Sequence, residues 1–239
     1  MFTRKHILML PTLAILTAGC DSDNGALLGT AQEVQYQVTI TNLTAGQPLS
    51  PAAIVVHRNG WRAFALGETA SVALEKLAES GDNSDFISAA GADLDVVATS
   101  SGHDVIAPGA SEQIVASGRA SSTSGLQLSW ASMPVNTNDG LAAINGIDIG
   151  GLAVGQSATH LAISYDAGTE ANTESADTVP GPAASGLAEG FNPVRNDVRN
   201  AVYIHPGVVT QADGLSTSTL GESHRWDNPI ARIVIQRLQ

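Results

Sequence analysis

The chain of 239 residues carries a net charge of −12, with 43% apolar and only 14% charged residues. That length holds one good-sized domain with a real core, and the acidic balance excludes nucleic-acid backbones as partners, because phosphates are repelled. The apolar share is rich in Ala and Val, aromatics make up 4% and glycines number 24, a turn-rich composition that suggests an extracytoplasmic β protein.

The first residues form a targeting device. Arg4 and Lys5 precede an apolar stretch from Ile7 to Leu16, too short and too broken by Pro11 to span a bilayer of ~30 Å. The single cysteine, Cys20, directly follows Thr17-Ala18-Gly19. This resembles a bacterial lipobox, in which cleavage precedes the cysteine and its thiol takes a lipid. The expected division is a signal peptide over 1–19, a flexible tether over 20–32 and one domain over 33–239. Export to the bacterial envelope and a membrane anchor through lipidated Cys20 follow from that reading. A mature chain so processed has neither a free thiol nor a disulfide.

Residues 34–43 alternate Val34, Tyr36, Val38 and Ile40 with polar neighbours, the period-two pattern of a half-buried strand. A continuous apolar run, "PAAIVVH", follows Ser50 and reads as a more buried strand. The period then changes: over 67–82 Ala70, Leu74, Leu77 and Ala78 share one helical face, with Gly81 as a stop. "SDFISAAGAD" reads as a short helical turn. Strand-like runs return as "LDVVATS", "EQIVASGRAS", "LQLSWASMPV", "THLAISYD", "AVYIHPG" and "PIARIVIQRL". About eight strands and one helix predict a mainly β, antiparallel β-sandwich with one short covering helix. Segment 167–200, rich in Gly, Pro, Asn and acids, shows no regular pattern, and a loop of that length is usually functional or pinned by an ion.

Four blocks in order, "YQVTITNLTAGQPLSPAAIVVH", "GETASVALEKLAESGD", "MPVNTNDGLAAINGIDI" with "YDAGTEANT", and "HRWDNPIARIVIQRL", resemble the spondin N-terminal domain family in its shorter bacterial form. The resemblance implies a β-sandwich similar to a C2 domain, with a calcium ion held by acids in loops at one edge, and a role in binding or adhesion. The matching positions are Asp139 in "NTNDGL" and Asp166 and Glu170 in "DAGTE". Glu170 stands where the family pattern has Asp, one methylene longer and equal in charge. The loop cysteines of animal members are absent.

The residues bear on that site independently. In a straight strand Asp166 and Glu170 would lie ~13 Å apart at ~3.3 Å per residue, too far for one ion. Gly168 lets the backbone fold back, so the carboxylates converge and repel unless a cation or a proton intervenes. Asp139 makes a third acid, and carboxylates with amide, carbonyl and water oxygens suit the six-to-eight-oxygen shell of Ca²⁺. Asn138, Thr169 and Asn172 stand nearby as further oxygen donors. A solvent-facing turn in an acidic protein is the bland reading of "DAGTE". His57, His103, His160, His205 and His224 show no zinc spacing, and no G-x-S-x-G elbow is present. Three functions stay open: a non-catalytic, calcium-binding adhesion module facing an envelope protein or a glycan; a structural envelope lipoprotein with a stabilising ion; and a glycan hydrolase using paired carboxylates, which wants an aromatic-lined cleft.

Overall fold

The computed structural model describes residues 30–184 and 190–239; the signal peptide, Cys20 and the tether up to residue 29 lie outside them. The chain order is β1 (Gln32–Asn42), β2 (Ala53–His57), α1 (Val72–Ser80), α2 (Ser84–Gly91), β3 (Val96–Ser101), β4 (Ser111–Ala120), β5 (Gln127–Ser132), β6 (Gly140–Asp148), β7 (Ser157–Asp166), β8 (Tyr203–Ile204) and β9 (Ala231–Arg237). The fold is mainly β, and every strand pairing is antiparallel.

Hydrogen bonding orders the strands β3-β2-β5-β6-β7-β9-β1-β4, with β8 added beside β7. β7 joins two layers: Ser157–Ala162 pair with β9, and Ile163–Asp166 pair with β6. The free edges β3 and β4 approach where Ser100 Oγ donates to the Val115 carbonyl at 2.8 Å, so the sandwich is nearly closed. Between the layers lie Tyr36, Val38 and Ile40 of β1, Trp130 of β5 and Ile233 and Ile235 of β9, all buried. This is the face that the alternation of β1 and β9 predicts.

A second core explains why "AIVVH" is apolar without alternation. Ala53 and Val55 point away from the first core, with Ala131, Leu141 and Ala143, and are covered by Leu74, Leu77, Phe86 and Ala90. Those last four come from α1 and α2, so two short helices cover the sheet where one was expected. Ser71 caps α1 by accepting from the Leu74 N–H, and Gly81, at φ 71°, ends it by donating to the Leu77 carbonyl. α2 spans eight residues but buries only Phe86 and Ala90, which is why its pattern reads as a mere turn.

Strand β6 had no prediction. Its first half, Gly140–Ile144, is buried on both faces, and Asn145-Gly146 breaks the apolar run where the pairing with β5 shifts register. "AVYIHPG" contributes only the two-residue β8.

Register separates two poles. The ends Asn42, Ala53, Ser101, Ser132, Gly140, Asp166 and Ala231 lie at one pole; Gln32, His57, Val96, Gln127, Asp148, Ser157 and Arg237 lie at the other. The second pole holds both ends of the domain, joined where the Gln35 N–H donates to the Gln239 carbonyl at 3.2 Å. The first pole collects the connections 43–52, 102–110, 133–139 and the segment between β7 and β9.

Candidate metal centre

Asp139 ends the β5–β6 connection, and Asp166 ends β7 opposite Gly140. The Ala167 N–H donates to the Asp139 carbonyl at 3.0 Å, extending the ladder by one step. Gly168 then turns the chain in the left-handed region, at φ 69°. A β-carbon there would stand 2.2 Å from the Ala201 carbonyl oxygen, so glycine is required twice over.

The reversal wraps the loop around Asp139. Asp139 Oδ2 accepts from the Thr169 N–H (2.7 Å), the Glu170 N–H (2.9 Å) and the Thr169 hydroxyl (3.2 Å). Asp166 Oδ1 accepts from the Gly168 N–H at 2.8 Å, and Oδ2 from Asn172 Nδ2 at 2.8 Å. Asn172 Nδ2 also donates to the Tyr203 hydroxyl, which donates in turn to Asp197 Oδ2. Both aspartates have 0% exposure.

The pair is electrostatically costly. Burial, and then the charge of Asp166, raises the Asp139 carboxyl from its ordinary 3.8 to about 8. Burial likewise raises Asp166, against the hydrogen bonds of Tyr203, Asn172 and Gly168. None of the largest influences on either carboxyl is a cationic side chain. Buried like charges without a counter-ion must take up a proton or a cation.

Several oxygens around them lack a donor. Asp139 Oδ1, Asn138 Oδ1 and Asn172 Oδ1 are buried and have no hydrogen-bond donor. Each amide spends its N–H₂ elsewhere: Asn138 Nδ2 donates to the Ala171 carbonyl at 3.1 Å, and Asn172 Nδ2 to Asp166. Oxygen-only donors fit Ca²⁺ in kind. Among the described residues no three Asp, Glu, His or Cys side chains form a group that could hold a metal, so carboxylates by themselves do not complete a shell. Of the three predicted acids, Asp139 and Asp166 are brought together. Glu170 is buried and reaches Asp139 through its backbone N–H.

One acid escaped the sequence reading. Glu174 is 1% exposed, and burial followed by the charge of Asp166 raises its carboxyl to about 7. Nothing in "NTESAD" separates it from the exposed acids of the same segment, because its burial comes from residues 209 and 219 folding over it.

A Ser–His contact was also unforeseen. His57 Nδ1 donates to the Arg58 carbonyl at 2.9 Å, and Nε2 lies 2.8 Å from Ser129 Oγ, which accepts from the Gly146 N–H. These residues are 72 positions apart, beyond any local motif. His57 is 0% and Ser129 1% exposed, and Trp61 packs on the imidazole at 4.7 Å between ring centroids. Sealed in this way, the pair serves as a polar link between β2 and β5. His205, at the end of β8, is buried against Trp226 and accepts from the Gly207 N–H through Nδ1.

A scan of the chain against protein-family models gives no match, and a search of curated proteins gives none.

Proposed function

We propose that this chain is a non-catalytic, calcium-binding module with a spondin-like sandwich, held at the bacterial envelope by a lipidated Cys20. The observation that carries the reading is the fully buried Asp139–Asp166 pair, on which burial, like charge and hydrogen bonds are the largest influences, with donor-less oxygens of Asp139, Asn138 and Asn172 beside it. Bound Ca²⁺ supplies the positive charge that this pair lacks. Asp139 and Asp166 would hold it, with amide, main-chain and water oxygens filling the remaining places.

Display toward a partner agrees with the two poles. The tether enters at Gln32, at the pole opposite Asp139 and Asp166, so a membrane anchor would leave the loop-bearing pole facing outward. The partner class is an envelope protein or a glycan. A glycan hydrolase finds less support, because both aspartates have 0% exposure and Trp130 is buried in the core between the layers.

Thermal melts with Ca²⁺ and with EDTA test the ion, in the ~0.1–1 mM range usual for extracellular sites. Calcium is expected to raise the melting temperature, and Asp166→Asn to abolish the rise. An unchanged melt would remove calcium from the proposal. Cys20→Ser is expected to release the protein from membranes, and retention there would contradict the anchor.

A further inference from the structure

We infer that the groove beside β8 is the docking site of the partner, and that it takes an extended peptide segment carrying an acidic side chain next to apolar ones. This names the partner class that the binding-module reading leaves open, and it rests on that reading but not on the ion. The groove, of about 440 Å³, lies at the loop-bearing pole, where Tyr203 pairs with Asp166. Leu66 and Ile204 line it and are 57% and 53% exposed, so it presents aliphatic surface to solvent.

The main chain favours a peptide. The His205 N–H donates to the Ser164 carbonyl at 3.2 Å, so antiparallel alternation makes Tyr165 and Ile204 the pair without mutual hydrogen bonds. The Ile204 N–H and carbonyl therefore point away from β7, to the side where Val202 is already bonded. Val202 accepts there from the Gly67 N–H at 2.8 Å and donates to the Glu68 carbonyl at 2.9 Å. Ile204 offers the next rung, with the groove in front of it. An extended segment laid along this edge gains main-chain bonds whatever its sequence, while alternate side chains enter the groove.

Charge selects the acid. Although the chain has a net charge of −12, the charged side chain lining this groove is a cation, Arg199. Among the described residues its guanidinium makes no ion pair and rests on the Tyr203 ring, 4.0 Å from the centroid. The neighbouring acids are engaged elsewhere: Asp197 accepts from the Tyr203 hydroxyl and the Arg199 N–H, and Glu68 pairs with Arg62. Asn172 also donates to the Tyr203 hydroxyl, so the floor under the guanidinium is ordered before any partner arrives. A stacked guanidinium keeps its N–H edge for a carboxylate. A glycan fits less well, because the aromatic ring in the groove already carries Arg199.

The test is selection of a random heptapeptide library, displayed on phage, against the immobilised full chain in detergent. Fluorescence polarisation then compares the enriched peptides on wild type, Arg199→Gln and Leu66→Glu. Enriched sequences are expected to place Asp or Glu beside apolar residues, and to bind Arg199→Gln about tenfold more weakly or worse through loss of one charge-assisted pair. Leu66→Glu, at an exposed position, is expected to weaken binding by a similar factor through like-charge repulsion, and it serves alone if Arg199→Gln fails to fold. Enrichment of peptides without an acid, or wild-type affinity in either variant, overturns the assignment and leaves a binding module with another site. A signal on a glycan array while the phage library yields nothing overturns the peptide in favour of a glycan. Silence in both overturns the binding-module reading along with it.

Discussion

Replacing Asp139 by Asn should stabilise the protein relative to wild type without calcium and lose most or all of that advantage with calcium. The amide keeps an oxygen where Thr169 and Glu170 donate, and it removes the charge that faces Asp166. The sign follows from the raised carboxyl, about 8 in the fold against an ordinary 3.8. A group raised in this way contributes its full stability below about pH 4 and loses it as the pH climbs to about 8. At ~1.4 kcal/mol per pH unit the ionised Asp139 removes about 5 kcal/mol by pH 8 if no cation is present. Against that gain, Asn puts an N–H₂ at the position of Oδ1, and an unpaired buried donor costs roughly 1–3 kcal/mol. The net gain is then about 2–4 kcal/mol, and for a domain of this size that is roughly 5–10 °C in EDTA at about pH 8.

Calcium closes most or all of that gap. An ion present at a hundredfold excess over its dissociation constant adds about 2.7 kcal/mol to the wild type and nothing to a variant that no longer holds it. Differential scanning fluorimetry at about pH 5 and about pH 8, each with EDTA or excess Ca²⁺, gives four comparisons. Near pH 5 in EDTA the two proteins should melt much closer together, since the wild-type carboxyl is already protonated. Should Asp139→Asn melt below wild type at about pH 8 in EDTA, Asp139 is an ordinary ionised hydrogen-bond acceptor and the buried-pair reasoning is wrong.

Three further outcomes follow from other parts of the fold. Gly168→Ala places a β-carbon 2.2 Å from the Ala201 carbonyl at φ 69°, so it should cost roughly 2–4 kcal/mol by urea unfolding and abolish the calcium response together with it. His205, lowered by burial to about 4, binds its proton less well in the fold than when unfolded. Its contribution is therefore intact above about pH 6.5 and lost progressively toward pH 4, about 3 kcal/mol in all, and His205→Gln should flatten the acid limb of a pH–stability curve. Trp130→Ala empties the largest fully buried side chain of the core between the layers and should cost about 3–5 kcal/mol in the same urea assay, with calcium affinity retained if the protein folds.

The strands legible in the sequence are those with one wet face. β1 alternates buried and partly exposed residues almost without interruption, and its period can be read residue by residue. β6 lacks that contrast: both faces of its first half are covered, Leu141 and Ala143 by the helices and Ala142 and Ile144 by the opposite layer. The segment after β7 is invisible to periodicity for a different reason. Asn196 accepts from Ala171, Thr169 accepts from Asn196, and Arg195 pairs with Glu75 while donating to the Ala70 carbonyl. Such bonds, most of them through side chains, span long separations and leave no repeat. Asp139 and Asp166 were legible through the order of motifs, whereas Glu174, buried by later loops, carried no local mark.

These features place stability unevenly. The strands rest on two apolar cores, but among the described residues the loops beyond β7 gather only Val179, Val208 and Leu220 into a cluster of their own, edged by Trp226. Their order depends instead on hydrogen bonds that converge on carboxylates, chiefly Asp139, Asp166 and Asp213. An acceptor of that kind orders a loop only while its own charge is tolerated. Asp213 manages this at the surface, where Thr210 and Arg225 hold its carboxyl down to about 2. Asp139 and Asp166 have donors but no cationic side chain among their chief influences, and their interior position makes each donor bond stronger and each uncompensated charge more costly. Neutralising the pair therefore acts first on the loop pole and only secondarily on the sandwich. Under the proposed calcium reading, the loop surface would take its order from an ion more than from its own core, which suits a module that meets its partner outside the cytoplasm, where calcium is abundant.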